Sequence, residues 1–122
     1  MGDHEAAWPK ELRVSPDRKV LTVSFTDGRS YAIEAELLRV RSPSAEVQGH
    51  SPAQRVTVGG KADVTISKVL PVGNYAVRLA FDDGHDTGIF TWKFLSEIGA
   101  GKDESWAGYL AELADKGMSR TR

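Results

Sequence analysis

Two Asp-Gly turns carry a hydrophobic pattern that occurs twice in the chain, and that repetition constrains the fold more than any other feature. The stretch from Phe81 to Gly99, FDDGHDTGIFTWKFLSEIG, reads as the end of a strand, a tight turn, a second strand and a short amphipathic helix. Upstream, Phe25, Asp27, Gly28 and Ile33 have the spacing of Phe81, Asp83, Gly84 and Ile89, and Leu37 and Leu38 follow as Phe94 and Leu95 do. Asp-Gly is the pair that a two-residue hairpin turn favours, because both residues tolerate positive φ. Equivalent positions in two such hairpins should face one layer, so Phe25, Phe81 and Ile89 are predicted to share a core.

The flanking segments fit this frame. Leu21, Val23 and Phe25 alternate with Thr22, Ser24 and Thr26, a period of two that marks a half-buried antiparallel strand. Ala35 to Arg41 is a helix of one to two turns, stopped before Pro43. Ser42 to Gln54 has two prolines, a glycine and no periodicity, and is expected to be a long loop. Val56, Val58, Val64 and Ile66 then flank Gly59-Gly60 as a hairpin whose second strand ends at Pro71, and Ala76 to Phe81 alternates again. Thr91 is the expected N-cap of the next helix, with Gly99 in the left-handed C-cap position. Beyond Gly101, Trp106, Tyr109, Leu110 and Leu113 form an apolar stripe on a helix capped by Asp103 and ending near Lys116-Gly117. The fold class predicted is α+β: a mainly antiparallel β-sheet of hairpins with two or three short helices, the C-terminal one amphipathic. Residues 1–7 read as a disordered tail, 8–100 as the domain, and 101–122 as a helix, packed on its own sheet, followed by a frayed basic tail.

Charge and composition exclude several functions. Sixteen basic and seventeen acidic residues give a net charge of -1 over 122 residues, which is no footprint for nucleic acid or an anionic membrane. With no cysteine the chain offers no disulfide, thiolate zinc site or thiol nucleophile. The N-terminus has no basic segment leading an apolar run, so a cytoplasmic, soluble protein is expected.

Chemistry-bearing residues are few. Asp82, Asp83, His85 and Asp86 are the densest titratable group, but they surround a hairpin turn where such residues are usually solvated. His50 and His85 would suit a weak carboxylate–imidazole site. Ser42 and Ser44 beside Glu46 and His50 are the right types for nucleophilic catalysis, yet Ser-Pro-Ser is ordinary turn chemistry. Gly59-Gly60-Lys61 lacks the spacing of a phosphate loop. Trp8, Trp92 and Trp106 lie at positions that usually pack in a core. The candidate binding residues are therefore Glu46, His50, Asp83, His85 and Trp92, with no catalytic residue, no metal ligand and no cofactor assigned.

The strings WPKELRV, LLRVRSPSAEVQGH and PVGNYAVRLAFDDGHDTGIFTWKFL, taken in order, resemble the gamma-butyrobetaine hydroxylase-like N-terminal domain, also called domain of unknown function 971. The resemblance runs from about Trp8 to Gly99. In eukaryotic dioxygenases this domain precedes a double-stranded β-helix that holds iron and 2-oxoglutarate, and related domains are joined to P-loop iron–sulfur cluster carriers. The resemblance implies a non-enzymatic accessory module that binds a protein partner, or alternatively a metal-handling factor linked to iron–sulfur metabolism. The dioxygenase branch binds zinc through three cysteines and a histidine. Those cysteines align with Ser42, Ser44 and Val47, and the histidine with His85, so the resemblance implies that the zinc site is lost here.

Overall fold

The computed structural model describes residues 8–49 and 55–121. The predicted tail 1–7 and the imidazole of His50 fall outside them. The architecture is α+β, but its strands divide into two antiparallel three-stranded sheets rather than one. The first sheet comprises β1 (Pro9–Val14), β2 (Val20–Phe25) and β3 (Ser30–Glu34); the second comprises β4 (Ile66–Val72), β5 (Ala76–Phe81) and β6 (Ile89–Thr91). Among the described residues four helices accompany them: α1 (Ala35–Val40), α2 (Ala45–Gln48), α3 (Trp92–Ala100) and α4 (Lys102–Asp115). Arg18 ties the two sheets together. Its carbonyl accepts from the Ile66 N–H, and its guanidinium donates to the Ile66 and Ser67 carbonyls at 2.6 and 2.7 Å.

The two Asp-Gly turns are built alike. Phe25 N–H donates to the Arg29 carbonyl and Gly28 N–H to the Phe25 carbonyl; Phe81 and Gly84 make the same bonds to His85 and Phe81. Each closes a three-residue loop with glycine at φ +95° or +92°, not the two-residue loop expected. After the turns the copies diverge. Ser30 pairs at once with Ser24, whereas the second hairpin leaves residues 85–88 unpaired, and β6 begins one step out of phase. Phe25 and Phe81 are buried in one core as predicted, but Ile89 is 42% exposed and Phe90 takes its place in that core.

Several local expectations give way to packing. Ala45–Gln48 forms a helical turn inside the predicted loop because Ser44 Oγ accepts the Glu46 N–H and Val47 is buried beneath it. Gly59-Gly60 makes no hairpin; Gly60 and Ala62 N–H donate instead to the Ser119 and Arg120 carbonyls of the C-terminal tail. That tail is docked, not frayed: Arg120 forms two bonds to the buried Glu36 and lies 5.0 Å from the centre of the Trp106 ring. Pro71 sits inside β4, which is tolerated because β4 is an edge strand. Gly99 lies within α3, where an added Cβ would meet the Tyr31 ring at 2.5 Å, so its role is close approach and not a cap. Thr91 does cap α3, accepting the Phe94 N–H at 3.1 Å. Asp103 caps nothing, since α4 starts from Gly101; the helix ends at Lys116 with Gly117 N–H on the Ala114 carbonyl and Met118 N–H on that of Leu113.

Helix α4 packs on its own domain, though chiefly against α1 and α3 and not on a sheet as expected. Tyr109 and Leu113 are buried, the Tyr109 hydroxyl donates to the Val58 carbonyl at 2.6 Å, and Glu112 receives Arg41 and Arg55. Leu110, the third residue of the predicted stripe, remains exposed.

Candidate functional site

The turn at 82–86 is far from a simple solvated loop, because segments distant in sequence converge on it. His85 is buried, and each ring nitrogen has a partner: Nδ1 lies 3.1 Å from Glu46 Oε1 and Nε2 lies 3.0 Å from Ser42 Oγ. One assignment of protons satisfies every group. The Ser42 hydroxyl donates to Nε2 while its oxygen accepts the Ser44 N–H; Nδ1–H donates to Glu46. Ser44 Oγ donates to Thr87 Oγ1 at 2.8 Å, and Thr87 donates onward to Glu46 at 3.2 Å. The loop of α2 is thereby tied to the β5–β6 hairpin.

Beside this network Asp83 Oδ2 is held by Arg39 at 2.7 Å and Lys61 at 2.6 Å, while its other oxygen accepts the His85 N–H. The Asp83 side chain is only 11% exposed, although the turn backbone lies open. Burial pushes its pKa up, but Lys61, the His85 N–H and Arg39 together outweigh this and hold it at about 2. Burial pushes the His85 pKa down and Arg39 adds to that, against the opposing pull of Glu46 and Asp83. At neutral pH the imidazole is therefore neutral, which agrees with that hydrogen-bond assignment.

The five candidates are distributed unevenly. Glu46, Asp83 and His85 are brought together; His50 lies outside the described residues. Trp92 is elsewhere, half-buried against the core with Nε1 donating to the Asn74 carbonyl at 2.9 Å. Trp106 likewise packs against the core, whereas Trp8 is exposed. Arg39, Lys61 and Thr87 complete the cluster; the sequence pattern marks Lys61 only as the end of Gly59-Gly60-Lys61, and gives no signal for Arg39 or Thr87. Arg39 is 44 residues from Asp83, and nothing in the local pattern of either announces the pairing.

Ser42, His85 and Glu46 have the order of a nucleophile, base and orienting acid, but Ser42 is 0% exposed and Gly88 closes over its hydroxyl. A cleft of about 430 Å³ lies nearby, between residues 60–64, the 82–83 turn and the C-terminal tail. Its walls carry Lys61, already on Asp83, and Arg120, already on Glu36. Among the described residues no group of three or more His, Cys, Asp or Glu is disposed to hold a metal ion, and no helix is long and apolar enough to cross a membrane.

The protonation states of His85 and Asp83 make stability depend on pH. A histidine with a lowered native pKa contributes stability that is full above its ordinary value of 6.5 and is lost as pH falls from there toward the native value. Asp83 adds about 2 kcal/mol that is present above its ordinary value of 3.8 and lost as pH falls toward about 2. Thermal midpoints should therefore fall in two steps on acidification. His85→Gln should remove the upper step and Asp83→Asn should shrink the lower, to which Glu112, held below its ordinary value by Arg41, also contributes; a midpoint flat from neutral pH to about 4 would contradict the assignment of neutral His85.

A family model described as "Gamma-butyrobetaine hydroxylase-like, N-terminal" matches residues 12–96. Two proteins with NMR solution structures are similar: one is 48% identical with a TM-score of 0.80, covering 93% of this chain and 90% of its own, and the other is 43% identical with a TM-score of 0.81, covering 93% and 85%. A crystal structure from Acidithiobacillus ferrooxidans ATCC 23270, described as a protein of unknown function in the domain of unknown function 971 family, is 39% identical with a TM-score of 0.61, covering 75% of this chain and 92% of its own. No curated protein matches the chain significantly.

The zinc site of the oxygenase branch can be tested against the residues present. Ser42 and Ser44 are protonated hydroxyls engaged with His85 and Thr87, Val47 has no lone pair, and both His85 nitrogens are taken. These residues do not fit zinc. Protein purified without added metal should contain no stoichiometric zinc, and a chelator should leave its melting curve unchanged. One equivalent of zinc, lost together with stability in His85→Ala, would contradict this.

Proposed function

Since the chain belongs to the gamma-butyrobetaine hydroxylase-like N-terminal family, of which a structurally similar member is of unknown function, we propose that it acts as a non-enzymatic accessory domain that binds a protein partner. The observation that carries this reading is that the cluster with catalytic residue types among the described residues is closed. Ser42 has no access to solvent, His85 has no free nitrogen, and Asp83 is neutralised by two cations. Nothing there is poised to meet a substrate, because an enzyme site needs convergent polar groups that face a cavity. The cluster's work is structural: it holds α2 against the second hairpin and leaves the outer surfaces for contact.

The test is a pull-down from native extract with the full chain as bait, at low and high salt, with metal analysis of the bait. The expected result is one salt-sensitive protein partner, recovered stoichiometrically and equally well by the Ser42→Ala bait. Turnover or partner capture that depends on Ser42 and His85, in variants that melt normally, would overturn the reading. So would bait that carries stoichiometric iron or zinc, which would favour the metal-handling alternative.

A further inference from the structure

The two sheets have unlike outer faces. On the first sheet the ladder places Glu11, Arg13, Thr22, Ser24 and Ser30 outward, a polar surface with both signs of charge. On the second, Leu70, Arg78 and Ile89 stand in one cross-strand row, with Lys68 and Ala80 in the next. The other side of that sheet is spent on the core through Val77, Leu79, Phe81 and Phe90. The outer rows are open: Lys68, Arg78 and Ile89 are exposed and Leu70 is half-buried. Strands β4 to β6 contain no Asp or Glu, and no carboxylate among the described residues pairs with Lys68 or Arg78.

A solvated sheet face normally reads polar, as the first sheet does. Here aliphatic side chains are interleaved with two cations that no carboxylate among the described residues pairs. We propose that this outer face of β4–β6 docks an acidic partner segment whose carboxylates meet Lys68 and Arg78 while an apolar side chain covers Leu70 and Ile89. This rests on the reading of the chain as a protein-binding domain and deepens it. Charge decides the occupant. A second copy would bring the same patch against itself across a two-fold axis, cation on cation with no carboxylate between. Nucleic acid would ask for a wider basic surface than two residues on a chain of net charge -1. An acidic, amphipathic segment satisfies both the charge and the aliphatic row.

The experiment pans a random-peptide display library on the full chain, with counter-panning on Lys68→Glu/Arg78→Glu. One enriched peptide is then titrated into isotopically labelled protein. Expected are peptides rich in Asp or Glu around an apolar residue, and amide shifts at Lys68–Leu70, Arg78 and Ile89. Affinity should fall about tenfold or more in the charge-reversed variant and with added salt. Ile89→Ser should weaken binding while keeping the salt slope. All three positions are exposed, so the variants should melt as the parent does. Enrichment without acidic bias, or no enrichment, overturns the proposal. Shifts confined to another surface also overturn it, while leaving the reading as a protein-binding domain standing. Vesicles containing phosphatidylserine, or single-stranded DNA, that shift the same residues more strongly would reassign the face, and a dimer abolished by the charge reversal would assign it to a second copy.

Discussion

Phe81→Ala lowers the stability of the domain by about 3–5 kcal/mol, Phe90→Ala does the same, and Ile89→Ala changes it by less than about 0.5 kcal/mol. The first two values come from burial, since Phe81 and Phe90 are 3% and 0% exposed and their truncation leaves a cavity in the layer they share with Phe25, Leu79 and Leu95. The third comes from the phase of β6, which turns Ile89 to solvent. A domain this size has only about 5–15 kcal/mol in total, so either phenylalanine deletion is a large fraction of it. Urea unfolding checks the set, with the midpoint moving and the slope constant. A large loss at Ile89 and a small one at Phe90 would restore the exact hairpin repeat that the sequence suggests and contradict the observed register.

That register marks the limit of what the chain's pattern conveys. The Phe-x-Asp-Gly spacing specifies the turns because their bonds are local: Asp27 and Asp83 each accept the N–H two residues on, and glycine takes the positive φ. The strand after each turn is placed by long-range contacts instead. In the first hairpin Ser30 pairs directly with Ser24, and the ladder runs on without a break to Glu34. In the second, His85 is drawn toward Ser42 and Glu46, and Gly88 is pressed against Ser42, so pairing resumes only at Ile89 and one face later. A one-residue slip sends every later side chain to the other face until the chain resets. The candidate site was legible in part for the same reason. Glu46, Asp83 and His85 were identifiable by type, whereas Arg39, Lys61 and Thr87 join them through tertiary folding. Gly99 is the converse case: glycine after an amphipathic run signals a cap, but here it lies inside α3 and is glycine because Tyr31 needs the space.

Ending the chain at Gly101 abolishes cooperative unfolding, whereas ending it at Gly117 costs about 2 kcal/mol. The shorter chain loses the buried Tyr109 and Leu113 and the half-buried Trp106, each worth about 2–5 kcal/mol when truncated in a core, which together match the stability of the whole domain. It also strips Glu112 from Arg41, which is only 9% exposed. The longer chain keeps α4 and loses the tail, so the buried Glu36 is left without Arg120, and Gly60 and Ala62 lose their acceptors. The cost is modest because the Arg120 side chain is 44% exposed and its pairing is partly screened. Much of it should be the uncompensated charge itself, so Glu36→Gln within the Gly117 chain should recover part of the loss, while Glu36→Gln in the full chain should destabilise by removing half of the Arg120 pair. Thermal melts of the four proteins decide it. A Gly101 chain that melts with the parent but fails to retain a partner would make α4 a docking element rather than part of the core, and would move the interaction surface away from the second sheet.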